Sequence, residues 1–100
     1  MREYELYLII DAELEEDAVN AIVERVTALA VAGSGGLPGE MIKVDPRGKR
    51  RLTFPIKRKL EGIDIIFTFQ TPPAALTEVE RFLKFNEQVL RYLVVRTDER

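Results

Sequence analysis

The sequence contains no cysteine, no histidine and only one serine, Ser34. Without thiols there is no disulfide framework and no thiolate ligand set, which suits a reducing interior. Ser34 sits in a run of glycines with no base beside it, so nucleophilic dyads and triads are excluded. Long apolar runs are missing as well. Nothing approaches the roughly 18 unbroken apolar residues of a membrane span. The opening Met1-Arg2-Glu3-Tyr4-Glu5 has no apolar block of the secretory kind. The chain is therefore expected to stay in the compartment where it is made, without membrane association.

What is present is enough for one core. One hundred residues, 46% of them hydrophobic, fit a single domain spanning 1–100. The net charge of −2 argues, taken alone, against a polyanion-binding protein. The average hides an asymmetry: residues 47–59 hold Arg47, Lys49, Arg50, Arg51, Lys57, Arg58 and Lys59 and no acid, so this segment carries +7 and the rest of the chain −9. A local field of one sign steers a polyanion more than the whole-chain total does. The bland alternative is an edge strand decorated with cations that block edge-to-edge aggregation.

Hydrophobic periodicity gives the element order. Tyr4, Leu6, Leu8 and Ile10 alternate with Glu3, Glu5, Tyr7 and Ile9, a strand with one buried face. After the acidic stretch Asp11, Glu13, Glu15, Glu16 and Asp17, residues Val19, Ile22, Val23, Val26, Leu29 and Ala30 recur at helical spacing. Acids at this helix's start suit its positive dipole end. The run Gly33-Ser34-Gly35-Gly36-Leu37-Pro38-Gly39 ends the helix and is expected to be a flexible connection.

An extended stretch from about Glu40 to Lys57 comes next, with Ile42 and Val44 flanking Lys43, then Arg50, Leu52, Phe54 and Ile56 alternating. Asp45-Pro46-Arg47-Gly48 between them predicts a bulge or bend on an edge strand. A turn is expected around Leu60-Glu61-Gly62, leading to the cleanest alternation in the chain, Ile63, Ile65, Phe67 and Phe69 against Asp64, Ile66, Thr68 and Gln70. Pro72-Pro73 opens a helix whose buried stripe is Leu76, Val79 and Leu83, and the last strand runs from Val89 to Arg96. The order βαββαβ predicts an α+β, ferredoxin-like fold, a four-stranded antiparallel sheet with two helices on one face and the other face free for partners.

The remaining chemistry is sparse. The acids of 11–17 lack calcium-loop spacing, and helix-start charge accounts for them. The glycine run trails a helix and is succeeded by no Lys-Ser or Lys-Thr, so it makes a poor phosphate cradle. Phe67 and Phe69 share a face with Ile63 and Ile65, which makes them core rather than base-stacking residues, and Tyr4, Tyr7, Tyr92 and Phe54 are expected to be structural. Arg91 and Arg96 lie among apolar residues of the last strand and must reach the open face or the strand's end. Any RNA contact would run through phosphates and shape. No metal, cofactor or small-molecule substrate is expected.

Three segments together carry a family resemblance: Met1-Arg2-Glu3-Tyr4-Glu5 in the first strand, Gly48-Lys49-Arg50-Arg51-Leu52-Thr53-Phe54-Pro55-Ile56-Lys57, and Leu83-Lys84-Phe85-Asn86-Glu87-Gln88-Val89-Leu90-Arg91-Tyr92-Leu93-Val94-Val95-Arg96. They resemble the family of the sixth protein of the bacterial small ribosomal subunit, over essentially the whole chain. The resemblance implies a cytoplasmic, ribosomal, non-enzymatic protein that binds the central domain of small-subunit ribosomal RNA and pairs with the eighteenth protein of that subunit. It would bring Lys49, Arg50, Arg51 and Lys57, with Arg2, Arg91 and Arg96, to RNA or partner; Arg58 is added on charge alone. Two departures stand out: Asp45-Pro46-Arg47 precedes Gly48 where an aromatic is usual, and Ile63-Asp64 stands after Gly62 where aromatics are common. The chain also stops soon after the last strand, so a partner contact made by a longer tail is expected to be short or missing. The alternative reading is a ferredoxin-like regulatory domain that binds a small molecule, since this fold hosts many functions.

Overall fold

The computed structural model describes residues 1–97; the short tail after the last strand lies in 98–100, outside the described residues. Strand β1 (Arg2–Asp11) buries Tyr4, Leu6, Leu8 and Ile10 in strict alternation, as the pattern predicts. Helix α1 (Glu16–Ala32) buries Ile22, Val26 and Ala30, four residues apart along one stripe. No side chain caps its first turn, and Glu16 and Asp17 supply the negative charge that its free N–H groups favour.

The glycine-rich connection is a closed turn and not a flexible segment. Ser34 and Leu37 exchange both backbone hydrogen bonds at 3.0 Å, with Gly35 and Gly36 between them at φ 61° and 80°. Only glycine takes such consecutive left-handed positions without a steric cost. Gly39 has a different role. Its N–H donates to the Val31 carbonyl at 2.9 Å, and a Cβ there would lie 2.0 Å from the Ala30 oxygen. Thr71, a fully buried polar side chain, donates its hydroxyl to the same Ala30 oxygen at 2.8 Å. The end of α1, the start of the second strand and the end of the third therefore meet with no room for a side chain.

Strand β2 (Glu40–Ile56) and strand β3 (Lys59–Thr71) form a long hairpin. Register shifts place Ile42 and Arg47 as extra residues on β2, so the interruption at Asp45-Pro46-Arg47-Gly48 is a bulge on an edge strand, as expected, with Gly48 at φ 85°. The first bulge breaks the expected alternation, leaving Ile42 exposed while Met41 and Val44 reach the core. The hairpin turn is Lys57-Arg58, at φ 50° and 68°, because Ile56 pairs with Lys59. The turn expected at Leu60-Glu61-Gly62 is instead regular strand. Gly62 is required there by close approach, since a Cβ would meet Ile9 Cγ2 at 2.5 Å. Two residues at positive φ match the natural twist of a hairpin, and this fit prevails over the weak propensity of Lys and Arg for that region.

Helix α2 (Pro73–Lys84) starts on proline, whose missing N–H costs nothing in a first turn. Strand β4 (Val89–Arg96) completes an antiparallel sheet of order β2-β3-β1-β4, the ferredoxin-like arrangement. Both helices cover one face. Phe67 and Phe69 of β3 are wholly buried under them among Leu6, Leu8, Val26 and Val79, and Tyr4 tilts against Phe69 with ring centroids 5.8 Å apart. Each such aromatic removes about 150–250 Å² from water. Among the described residues no helix is long and apolar enough to cross a membrane.

The junction at Gly39 and the turn at Gly35 separate two kinds of glycine dependence. Gly35→Ala meets nothing within 4 Å and bears only the left-handed penalty, about 1–2 kcal/mol. Gly39→Ala must push apart backbone atoms of α1 and β3, so a larger loss is expected, about 3 kcal/mol. Urea-denaturation midpoints of the two variants check this order.

Candidate nucleic-acid interface

Strand pairing determines where each cation lies. Gly48, Asp64, Ile9 and Arg91 stand in one row across the sheet, and Asp45, Ile66, Tyr7 and Leu93 in the next. These rows belong to the face without helices. Arg47, Arg50 and Arg91 surround a shallow hollow of about 480 Å³ there, floored by Tyr7, Ile9, Ile66 and Leu93. Alternation along β2 sends Lys49 the opposite way, into a second hollow against Asp11, Glu13 and Arg58. Adjacent cations of one motif thus serve opposite faces of the hairpin.

The +7 segment is less free than its composition suggests. Arg47 Nη1 pairs with Asp45 at 3.0 Å, Arg50 Nε with Asp64 Oδ2 at 2.8 Å, and Lys59 Nζ with both Asp11 (3.4 Å) and Glu13 (2.5 Å). Asp64 Oδ1 is buried and accepts no hydrogen bond among the described residues. Lys57 Nζ donates to the Val89 carbonyl at 2.8 Å, tying the hairpin end to the start of β4. Lys49, Arg51 and Arg58 are exposed and make no ion pair among the described residues, and the same holds for Arg91.

The eight candidate residues do not form one cluster. Lys49, Arg50, Arg51, Lys57 and Arg58 occupy the far half of the β2–β3 hairpin, with Arg91 two strands away on the open face. Arg2 lies at the opposite end of β1, about 30 Å away at 3.4 Å per strand residue. Arg96, partly buried, pairs across from Tyr4 at that same end.

Sequence patterning leaves several surface residues unassigned. Arg47, the extra residue of a bulge, lines the open-face hollow, and its position before Gly48 was the available signal. Tyr7 and Phe54, expected to be structural, are exposed at 39% and 62%. Tyr4 is buried and Tyr92 packs against the core, as expected. For Phe54 the cause is a third irregularity: three more residues on β2 than on β3 between Arg51↔Glu61 and Ile56↔Lys59. Leu52 stays buried there, and Phe54, two residues on, lies past the core. Tyr7 donates its hydroxyl to Glu5 at 3.0 Å, and the neighbouring carboxylate raises its pKa.

A two-layer α+β scaffold with one helix-free face and a cationic hairpin describes an interaction module. Its similarities are specific. A family model described as Ribosomal protein S6 matches residues 3–96. The small ribosomal subunit protein bS6 of Streptomyces coelicolor is 42% identical over 98 residues, covering 98% of each chain. That of Heliobacterium modesticaldum is 38% identical over 99% of each. The crystal structure of 30S ribosomal protein S6 from Thermotoga maritima superposes with a TM-score of 0.85 at 26% identity, over 98% of this chain and 89% of that one. The C-terminal domain of the Mycobacterium tuberculosis MgtC protein shares the fold alone, with a TM-score of 0.51 at 15% identity, over 99% and 90% of the two chains. The chain belongs to the ribosomal protein S6 family. That membership makes it a structural component of the small ribosomal subunit, located with the ribosome in the cytoplasm.

The Lys59 cluster gives a pH signature. Hydrogen bonds to Glu13, then Asp11, raise the Lys59 pKa above its ordinary 10.5. A raised folded-state pKa stabilises fully below the unfolded value and loses that contribution as pH climbs through the folded one. Lys59→Met is therefore expected to be less stable than wild type below pH 10.5, with the difference shrinking above it. Urea midpoints measured from about pH 9 to 12 test this.

Proposed function

We propose that this protein binds the central domain of small-subunit ribosomal RNA cooperatively with the eighteenth protein of the subunit, as a scaffold with no catalytic step. The carrying observation is the set of exposed cations without an ion pair among the described residues, Lys49, Arg51 and Arg58, in a segment whose other cations, Arg47, Arg50, Lys57 and Lys59, are engaged within the chain. Arg50, Lys57, Arg91, Arg2 and Arg96 are the further contacts to RNA or partner. Three phosphate contacts give a salt slope of only about −2 to −3, so RNA binding by this chain alone is weak and salt-sensitive.

Overall acidity fits this reading. With nine excess negative charges outside residues 47–59, the protein gains by sharing its RNA site with a basic partner that neutralises both surfaces. The alternative, a small-molecule-binding regulatory domain, has the open-face hollow to offer. There Arg47 and Arg50 are engaged with Asp45 and Asp64, leaving few polar groups to orient a ligand.

The test is titration of a central-domain RNA fragment, with and without the eighteenth protein, at several salt concentrations. Tight binding only with the partner supports the proposal, and no binding in either case rejects it. Arg51→Ala in the assembled pair is expected to weaken binding and to reduce the salt slope by about 1.

A further inference from the structure

A large aromatic ring is exposed on the cationic half of the hairpin, outside the buried core. Phe54 is 62% exposed, three residues after Arg51 and four before Arg58, both of them cations without an ion pair among the described residues. An exposed phenyl ring loses favourable apolar contact to water. With exposed arginines on both sides of it in sequence, this segment has the composition of a single-stranded nucleic-acid platform, in which a base stacks on the ring and cations take the adjoining phosphates.

The segment is also held in place. Leu52 is buried two residues before Phe54, and Pro55 fixes the backbone immediately after it. Beyond, Lys57 is bonded to the Val89 carbonyl and Lys59 to Asp11 and Glu13. These contacts tie the hairpin to the rest of the fold on both sides of the ring, which lowers the ordering entropy that opposes stacking. The ladder irregularity between Arg51 and Ile56 then turns Phe54 outward, beyond the core. An edge strand charged only against aggregation has no use for an outward phenylalanine there, since an exposed aromatic favours such association.

We infer that Phe54 stacks on an unpaired base of the ribosomal RNA, with Arg51 and Arg58 on the flanking phosphates. This rests on the RNA-binding role proposed above and adds base contact to what charge alone would supply.

The experiment uses the wild-type, F54A, F54L and F54W proteins, each assembled with the eighteenth protein and titrated against the central-domain RNA fragment at several salt concentrations. Loss of one stacked base lowers affinity about 5- to 150-fold. F54A and F54L are expected to fall in that range with the salt slope unchanged, because no phosphate contact is lost, and F54W to bind like wild type. Wild-type affinity in F54A overturns the inference, and so does wild-type affinity in F54L, which would reduce the contact to apolar burial. Weakened pairing of F54A with the eighteenth protein in the absence of RNA would also overturn it, by making the ring a protein contact. Failure of the wild-type pair itself to bind removes the RNA-binding reading and this inference with it, a result separable from any effect of the variants.

Discussion

The two-sidedness of β3 governs the rest of the structure. Its residues alternate without a break between Ile65, Phe67, Phe69 and Thr71 under the helices and Asp64, Ile66, Thr68 and Gln70 on the open face. As it pairs with both β1 and β2, this alternation fixes the register of its two neighbours. A slip of one residue would expose two phenylalanines and bury Asp64 and Gln70, a cost no local interaction could offset. The covered face, the open face and the register against which β2 is laid derive from that constraint, and the bulges of β2 then set which way its cations face.

Strands and helices whose signal is a long unbroken period were legible in the sequence. β1, β3, α1 and the core pair Phe67 and Phe69 are of this kind, because burial imposes one residue type at every second or fourth position. β2 was less legible. Its bulges at Ile42 and Arg47 each invert the facing of the residues after them, and nothing in the residues themselves reports an unpaired position. The hairpin turn is hidden for a related reason: Gly62 has the composition of a turn residue, whereas its small size serves the approach of Ile9. The glycine-rich connection read as loose because composition cannot show that Ser34 and Leu37 close on each other.

For the candidate interface, sequence supplied the charge and structure supplied its availability. Seven cations in thirteen residues suggest a strong uniform field, yet intramolecular acids from β1, the corner after it and β3 engage part of it. Pairs at a solvated surface contribute little stability individually, but each removes a donor from the set that can reach a phosphate. What remains is a small number of cations around an outward ring on an anchored hairpin. In the RNA-binding role proposed above, such a surface would supply selectivity by position more than affinity by charge, which suits a component held in a larger assembly by several neighbours at once.

The Lys57-Arg58 turn shows what this arrangement sacrifices. Both residues are held in the left-handed region, where a long side chain strains the backbone and Asn-Gly would rest at ease. An Asn-Gly turn would make a more robust isolated protein, with a blunter and less charged tip. The hairpin as it stands is therefore not the most durable one its own backbone permits. Selection for thermal resistance of the free chain would act on these two positions first, and against the charged tip proposed above to contact RNA.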